Sequence, residues 1–297
     1  VPVRYVLVGI GEILWDILPS GKQMGGAPAN FAYHASALGE NGVVVSRVGK
    51  DALGLEILHR LRLLGLSSDF ITLDDSCPTG TVTVNVDQDG VPDFTIHKDV
   101  AWDVLPDTQG LPELAQRADV VCYGSLAQRS PTSLDTIQNF LLRMSSDHLR
   151  IFDINLRQHF YSKGVISRSL ELANILKLNE QELGILSGMY SLEGEEAFAL
   201  KGLMERFNLE MVALTKGSNG SALQAQDRRS IHPGFTVDVV DTVGAGDAFT
   251  AAMAIGMLKG FELDRINTLA NRVASYVCTQ PGATPPIPEK IRMLFQG

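Results

Sequence analysis

Cysteine is scarce in this chain, occurring only at Cys77, Cys122 and Cys278. Thiols so few, so widely spaced and odd in number fit neither a disulfide framework nor a zinc site. Excess positive charge is also missing. The formal net charge of -9 speaks against a broad nucleic-acid surface while leaving room for one local cationic pocket. No apolar run reaches membrane-spanning length. The opening VPVRYVLVGIGEILWD lacks the basic start, apolar core and small-residue cleavage site of a secretion signal. No membrane partner and a cytoplasmic location are therefore expected. Two nucleotide fingerprints are absent as well. There is no GxxxxGK followed by Ser or Thr, and neither GIGEIL from Gly9 nor GAGDAF from Gly244 reaches the third glycine of GxGxxG. Without repeats, low-complexity tracts or long linkers, the 297 residues, 45% of them hydrophobic, are expected to form one domain.

What is present alternates. VRYVLVGI, GVVVSRV, ADVVCYGS, LRIFDIN, NILKLN and EMVALTKG are nearly continuous apolar runs, the pattern of strands buried on both faces. Between them PANFAYHASALG, DALGLEILHRLRLLG, SPTSLDTIQNFLLRM and EEAFALKGLMERFN repeat apolar residues at helical spacing, with Asp51 placed as an N-cap. This order predicts an α/β fold, a three-layer α/β/α sandwich with a mostly parallel central sheet. Two stretches break the rhythm. TGTVTVNVDQDGVPDFTIH alternates Val82, Val84 and Val86 with polar residues and turns at Asp89-Gly90, a hairpin signature. EILWDILPSGKQMGG offers a second extended ribbon. Segments 12–26 and 79–102 suit either a small β lid over the sheet edge or a plain extension of that sheet.

Chemistry concentrates in DTVGAGDAF, residues 241 to 249, which precedes the helical run TAAMAIGML. Glycine allows close backbone approach, and the amides of Ala245, Gly246 and Asp247 at a helix start would form an anion-favouring nest beside Gly244. A carboxylate inside such a nest is repulsive unless it works, for example by accepting a hydroxyl proton. The plainer alternative is a tight loop followed by an acid in a first helical turn.

DTVGAGDAF resembles the C-terminal signature of the ribokinase-like, or PfkB, carbohydrate kinases. GGAPANFAYHASALG at 25 to 39 and SRVGKDALG at 46 to 54 resemble the N-terminal one. DINLR (153–157), LNEQE (178–182) and TKGSNG (215–220) match intermediate motifs, so the likeness spans the chain. The resemblance implies a β lid over a sugar site and ATP bound in the C-terminal half. Asp247 would be the base, Gly244, Ala245 and Gly246 part of the anion hole, and Arg157 a phosphoryl or sugar clamp. Asp16, Gly25, Gly26 and Asn30 would bind the sugar, with Phe94 and Trp102 as lid contacts or, the more usual fate of such residues, hairpin core. Asn179, Thr215, Gly217 and Asn271 would meet ATP. Glu182 would organise Mg2+ through water. Asp241, the Val243 carbonyl and the loop at Gly282 would serve a monovalent cation such as K+, although Pro286 stands where some relatives carry serine.

GGAPAN differs from the GGKGAN of ribokinases. With DINLR and GEILWD it is most similar to bacterial fructokinases, which implies fructose as acceptor at its 6-hydroxyl. Ribose, 2-keto-3-deoxygluconate or aminoimidazole riboside as substrate, and a noncatalytic sugar- or nucleotide-binding regulator, are the competing readings. A lid with open strand edges also allows a homodimer.

Overall fold

The computed structural model describes residues 4–19, 21–86, 92–192 and 194–296, without the side chains of 84–86 and 92–94. Its strands are β1 (Val6–Ile10), β2 (Leu14–Leu18), β3 (Gly21–Gly25), β4 (Asn41–Gly49), β5 (Ile71–Asp74), β6 (Gly80–Val86) and β7 (Pro92–Ile96), then β8 (Val120–Tyr123), β9 (Leu149–Asp153), β10 (Ile175–Asn179), β11 (Met211–Thr215), β12 (Ser221–Ala225) and β13 (Arg229–His232). Nine of them form one sheet in the order β13-β12-β11-β10-β9-β8-β1-β4-β5. From β11 through to β5 all neighbours pair in parallel, and only the β11–β12 and β12–β13 pairs at one edge are antiparallel.

The apolar runs explain this sheet. Successive side chains point to opposite faces, and here both faces are covered by helices. Leu7, Cys122, Ile151, Ile175 and Ala213 pack with Phe31, Phe249 and Val273 of the helices Ala27–Ala37, Ala245–Leu258 and Leu263–Cys278. Val8, Val121, Phe152, Leu176 and Val212 pack on the other face with Leu114, Phe140, Leu170, Leu186 and Leu200, each from a different helix. The expected three-layer α/β sandwich is thus present. Asp51 caps its helix as expected, its Oδ1 accepting from the Gly54 amide at 2.8 Å.

The two stretches that broke the rhythm join in a separate four-stranded sheet, β3-β2-β6-β7. The chain leaves β1, bends at Gly11 and enters β2, which pairs antiparallel with β3 and parallel with β6. β6 and β7 pair antiparallel, with Val82 opposite Ile96. The turn expected at Asp89-Gly90 lies outside the described residues. Phe94 is on β7 opposite Val84, and its side chain is likewise outside them. Trp102 corrects its expected role as a lid contact. Its indole is 1% exposed in the main core, beneath the Arg129 guanidinium at 4.1 Å. The ring occupies the space that a side chain at Gly80 would need.

Candidate active site

Two helix starts meet above the central strands. The first, Ala27–Ala37, follows Gly26, whose φ of 115° suits glycine. This helix lies so close to β1 that a Cβ on Gly9 would collide with the Pro28 carbonyl. The approach brings Asn30, 4% exposed, to the second start. There Asn30 Nδ2 donates to Asp247 Oδ2 at 2.8 Å, so the two signature blocks touch across 217 residues of chain. The same helix holds the neighbouring loop. Tyr33 donates its hydroxyl to the Pro285 carbonyl at 3.0 Å, and His34 Nε2 lies 2.9 Å from the Ala283 carbonyl. Burial lowers the His34 pKa to about 4. The imidazole is therefore neutral at physiological pH, with Nε2–H as the donor.

The second start is Gly244, with φ 77° and ψ -6°. The Ala245 amide turns back to the Thr242 carbonyl at 3.3 Å, so this one of the three expected nest donors is partly occupied. Among the described residues, the Gly246 and Asp247 amides have no backbone acceptor. Burial and the nearby Asp153 charge push the Asp247 pKa up, opposed by the Asn30 hydrogen bond, Lys177 and Arg157, and it lies at about 7. Such a group exchanges protons near neutrality. A Cβ on Gly244 would stand 2.6 Å from the Ala283 carbonyl oxygen. Gly244→Ala is therefore expected to cost roughly 1–3 kcal/mol in a denaturant titration and to reduce turnover by moving the turn. An unchanged midpoint would show that the turn tolerates a side chain.

In the β2–β3 pair Gly25 stands opposite Leu14 and Asp16 opposite Gln23, and a Cβ on Gly25 would collide with the diagonally placed Asp16 carboxylate. Among the described residues Asp16 has no hydrogen-bond partner, and burial raises its pKa against the pull of Arg157. Arg157 is exposed on the loop after β9, between Asn155 and Gln158, both at positive φ. Its Nη1 donates to the Leu156 carbonyl at 3.2 Å. It forms no ion pair among the described residues. The Arg157 charge thus acts on both Asp16 and Asp247.

Asn179 and Glu182, three residues apart, meet at a helix start. Asn179 is the N-cap of the helix Glu180–Tyr190, its Oδ1 accepting from the Glu182 amide at 2.9 Å while Glu182 Oε2 accepts from the Asn179 amide at 2.8 Å. This capping box satisfies two amides at the helix start. Glu182 Oε1 accepts from the Leu156 amide at 2.9 Å, which ties DINLR to LNEQE. Thr215 ends β11, donating to the Leu178 carbonyl at 3.3 Å. Gly217 opens the exposed turn to β12 with φ 54°. Asn271 is 6% exposed, and its Nδ2 is spent on Ser221 Oγ, the Asn267 carbonyl and Asn267 Oδ1 at 2.7 to 3.0 Å. Only its side-chain oxygen is left for a ligand. Asp241 accepts the Val243 and Gly282 amides, both at 3.0 Å, one on each oxygen.

Two residues near Asp247 escaped the sequence reading. Glu12 is 3% exposed with Oε2 unpartnered, and burial lifts its pKa to about 7. Lys177 is 9% exposed and donates to Asp153 Oδ1 at 3.0 Å. A lone lysine inside the apolar strand NILKLN was the available signal.

A family model described as pfkB family carbohydrate kinase matches residues 20–290. The fructokinase of Salmonella typhimurium is 30% identical over 296 residues, covering 94% of this chain and 95% of that protein. Fructokinase-1 of Zea mays is 28% identical, covering 98% of this chain and 97% of its own. Among solved structures, a sugar kinase from Pyrococcus horikoshii in complex with ATP superimposes with a TM-score of 0.78 at 28% identity, over 94% of each chain.

Proposed function

The chain belongs to the pfkB family of carbohydrate kinases, and from that membership we propose that it transfers the γ-phosphoryl group of ATP to the 6-hydroxyl of fructose with Asp247 as the base. The observation that carries this reading is the Asn30–Asp247 hydrogen bond. It joins the residue expected to bind sugar to the residue expected to take its proton. Asp16 and Gly25 supply the adjoining wall, where a carboxylate with several acceptor sites suits neighbouring hydroxyls.

In the proposed step Asp247 accepts the hydroxyl proton as the sugar oxygen bonds to phosphorus and the bond to the ADP oxygen breaks. The Gly246 and Asp247 amides and the Arg157 guanidinium offset the charge on the transferring group. Magnesium fits this site through water. Each Glu182 oxygen already accepts an amide hydrogen, leaving one lone pair for a hydrating water of an ion held mainly by nucleotide phosphates. Asn179, Thr215 and Gly217 line the strand ends where those phosphates would lie. Asp241, which accepts the Val243 and Gly282 amides, supports reading these two segments as the walls of a monovalent-cation site. β3 and β7 form the open edges of the small sheet, where a second copy could pair. That sheet is read as a lid that excludes water on closure.

The acceptor is tested by coupled ADP release over fructose, ribose, 2-keto-3-deoxygluconate, glucose, adenosine and aminoimidazole riboside. Fructose is expected to show the highest kcat/KM. Preference for another acceptor keeps the transfer mechanism and replaces the substrate. ATP or sugar binding without transfer to any acceptor would favour the regulator. Among the described residues no helix is long and apolar enough to cross a membrane.

A further inference from the structure

The sheet face under the helix Ala245–Leu258 is apolar until its last layer. Ile151 precedes Asp153 on β9 and Ile175 precedes Lys177 on β10, each pair on the same face, and Asp153 stands in register with Lys177. Lys177 Nζ donates to Asp153 Oδ1 at 3.0 Å. The other carboxylate oxygen accepts from Thr250 Oγ1 at 3.0 Å, and that hydroxyl also lies 3.0 Å from the Gly246 carbonyl. A Cβ on Gly246 would sit 3.0 Å from Lys177 Nζ. The ammonium is therefore packed directly beneath the turn that presents Asp247. Asp153 is 4% exposed and Thr250 is fully buried. Packing does not account for such a pair, because apolar residues of similar volume usually serve stability as well or better.

We infer that Lys177 is a positioning residue for the transfer, holding the first turn of the helix Ala245–Leu258 through Asp153 and Thr250 and setting the charge balance around the Asp247 carboxylate. The inference rests on the proposed role of Asp247 as base. Asp153 and Lys177 face Asp247 from the sheet, Arg157 from the loop after β9, Glu12 from the loop after β1 and the neutral Asn30 amide from the helix Ala27–Ala37. Without Lys177, Asp153 and Glu12 would leave Asp247 with Arg157 as its only cationic neighbour in this group. Lys177 opposes the rise in the Asp247 pKa that burial and Asp153 produce.

The test is the pH profile of kcat/KM for the acceptor the parent enzyme prefers. Lys177→Met is expected to move the acidic limb upward by about one pH unit or more and to lower kcat at neutrality more than it raises KM. Lys177→Met with Asp153→Asn removes one charge of each sign, and the limb is expected to return toward that of the parent. A merely structural role would lower kcat without moving the limb. An unmoved limb in Lys177→Met, or a displaced limb that the double variant does not restore, would overturn the inference. Should Lys177→Met not fold, Lys177→Arg decides the matter. It retains the charge and is expected to keep the limb while losing kcat, so a limb displaced by more than about half a unit would overturn the charge-setting role. Asp247→Asn separates the two levels. If it keeps near-normal turnover, the reading of the base fails. If it is inactive while the Lys177→Met limb is unmoved, only the positioning inference fails.

Discussion

Replacing Asp247 with asparagine is expected to lower turnover by roughly two to four orders of magnitude and leave the fold in place. Asparagine has nearly the same shape, and its side-chain oxygen can still accept the hydrogen that Asn30 Nδ2 donates at 2.8 Å in the parent. What it cannot do is take a proton. The substitution also removes a carboxylate whose pKa burial has pushed up to about 7, so no buried charge is lost that the fold depends on. Steady-state kcat by coupled ADP release, beside a thermal melt, checks both halves. In the parent the base form of Asp247 accumulates as pH rises through about 7, and kcat/KM is expected to climb over the same interval. A variant within about tenfold of parental turnover would remove Asp247 from the role of base.

Arg129→Met carries the largest expected loss of stability, about 3–5 kcal/mol. Arg129 and Asp103 form a doubly hydrogen-bonded pair, with Nε and Nη2 each donating at 2.8 Å, and their side chains are only 7% and 8% exposed. The guanidinium is also packed against Trp102 and Phe160, at 4.1 and 4.6 Å, and donates to the His97 carbonyl just past the end of β7. Removing it leaves Asp103 buried without its counter-charge. Denaturant midpoints are the measure, and Arg129→Met with Asp103→Leu should recover much of the loss because no lone charge then stays buried. A loss below about 1 kcal/mol would mean that water screens the pair as at a surface. Since the same side chain joins the small sheet to the body, the acceptor KM is expected to rise in the single variant.

Local patterns were legible because neighbours along the chain dictate them. Short apolar runs rich in β-branched residues read as strands covered on both faces, and Asp51 caps a helix because its partner amide is three residues away. The two glycine-rich blocks marked where backbone must come close to something. Pairing between distant elements was not legible, because it depends on strand order and register. Asn30 meets Asp247 only because the helix Ala27–Ala37 lies against β1 and the helix Ala245–Leu258 covers the same sheet face. Trp102 was ambiguous as a sequence feature, since an aromatic beside a hairpin suits a lid or a core equally, and the packing under Arg129 placed it in the core. Asn179 and Glu182 were visible as a pair, yet whether they shared a face or capped a helix turned on where β10 ends. The lysine in NILKLN was plain to read, but its meaning came from β9, which sets Asp153 opposite it. By itself the amino-acid sequence determined the layers, the helix starts and the residue types able to do the chemistry. The tertiary structure decided which of them face one another, because hydrogen bonds and charges act over a few ångströms and only the sheet's order brings residues from opposite ends of the chain that near.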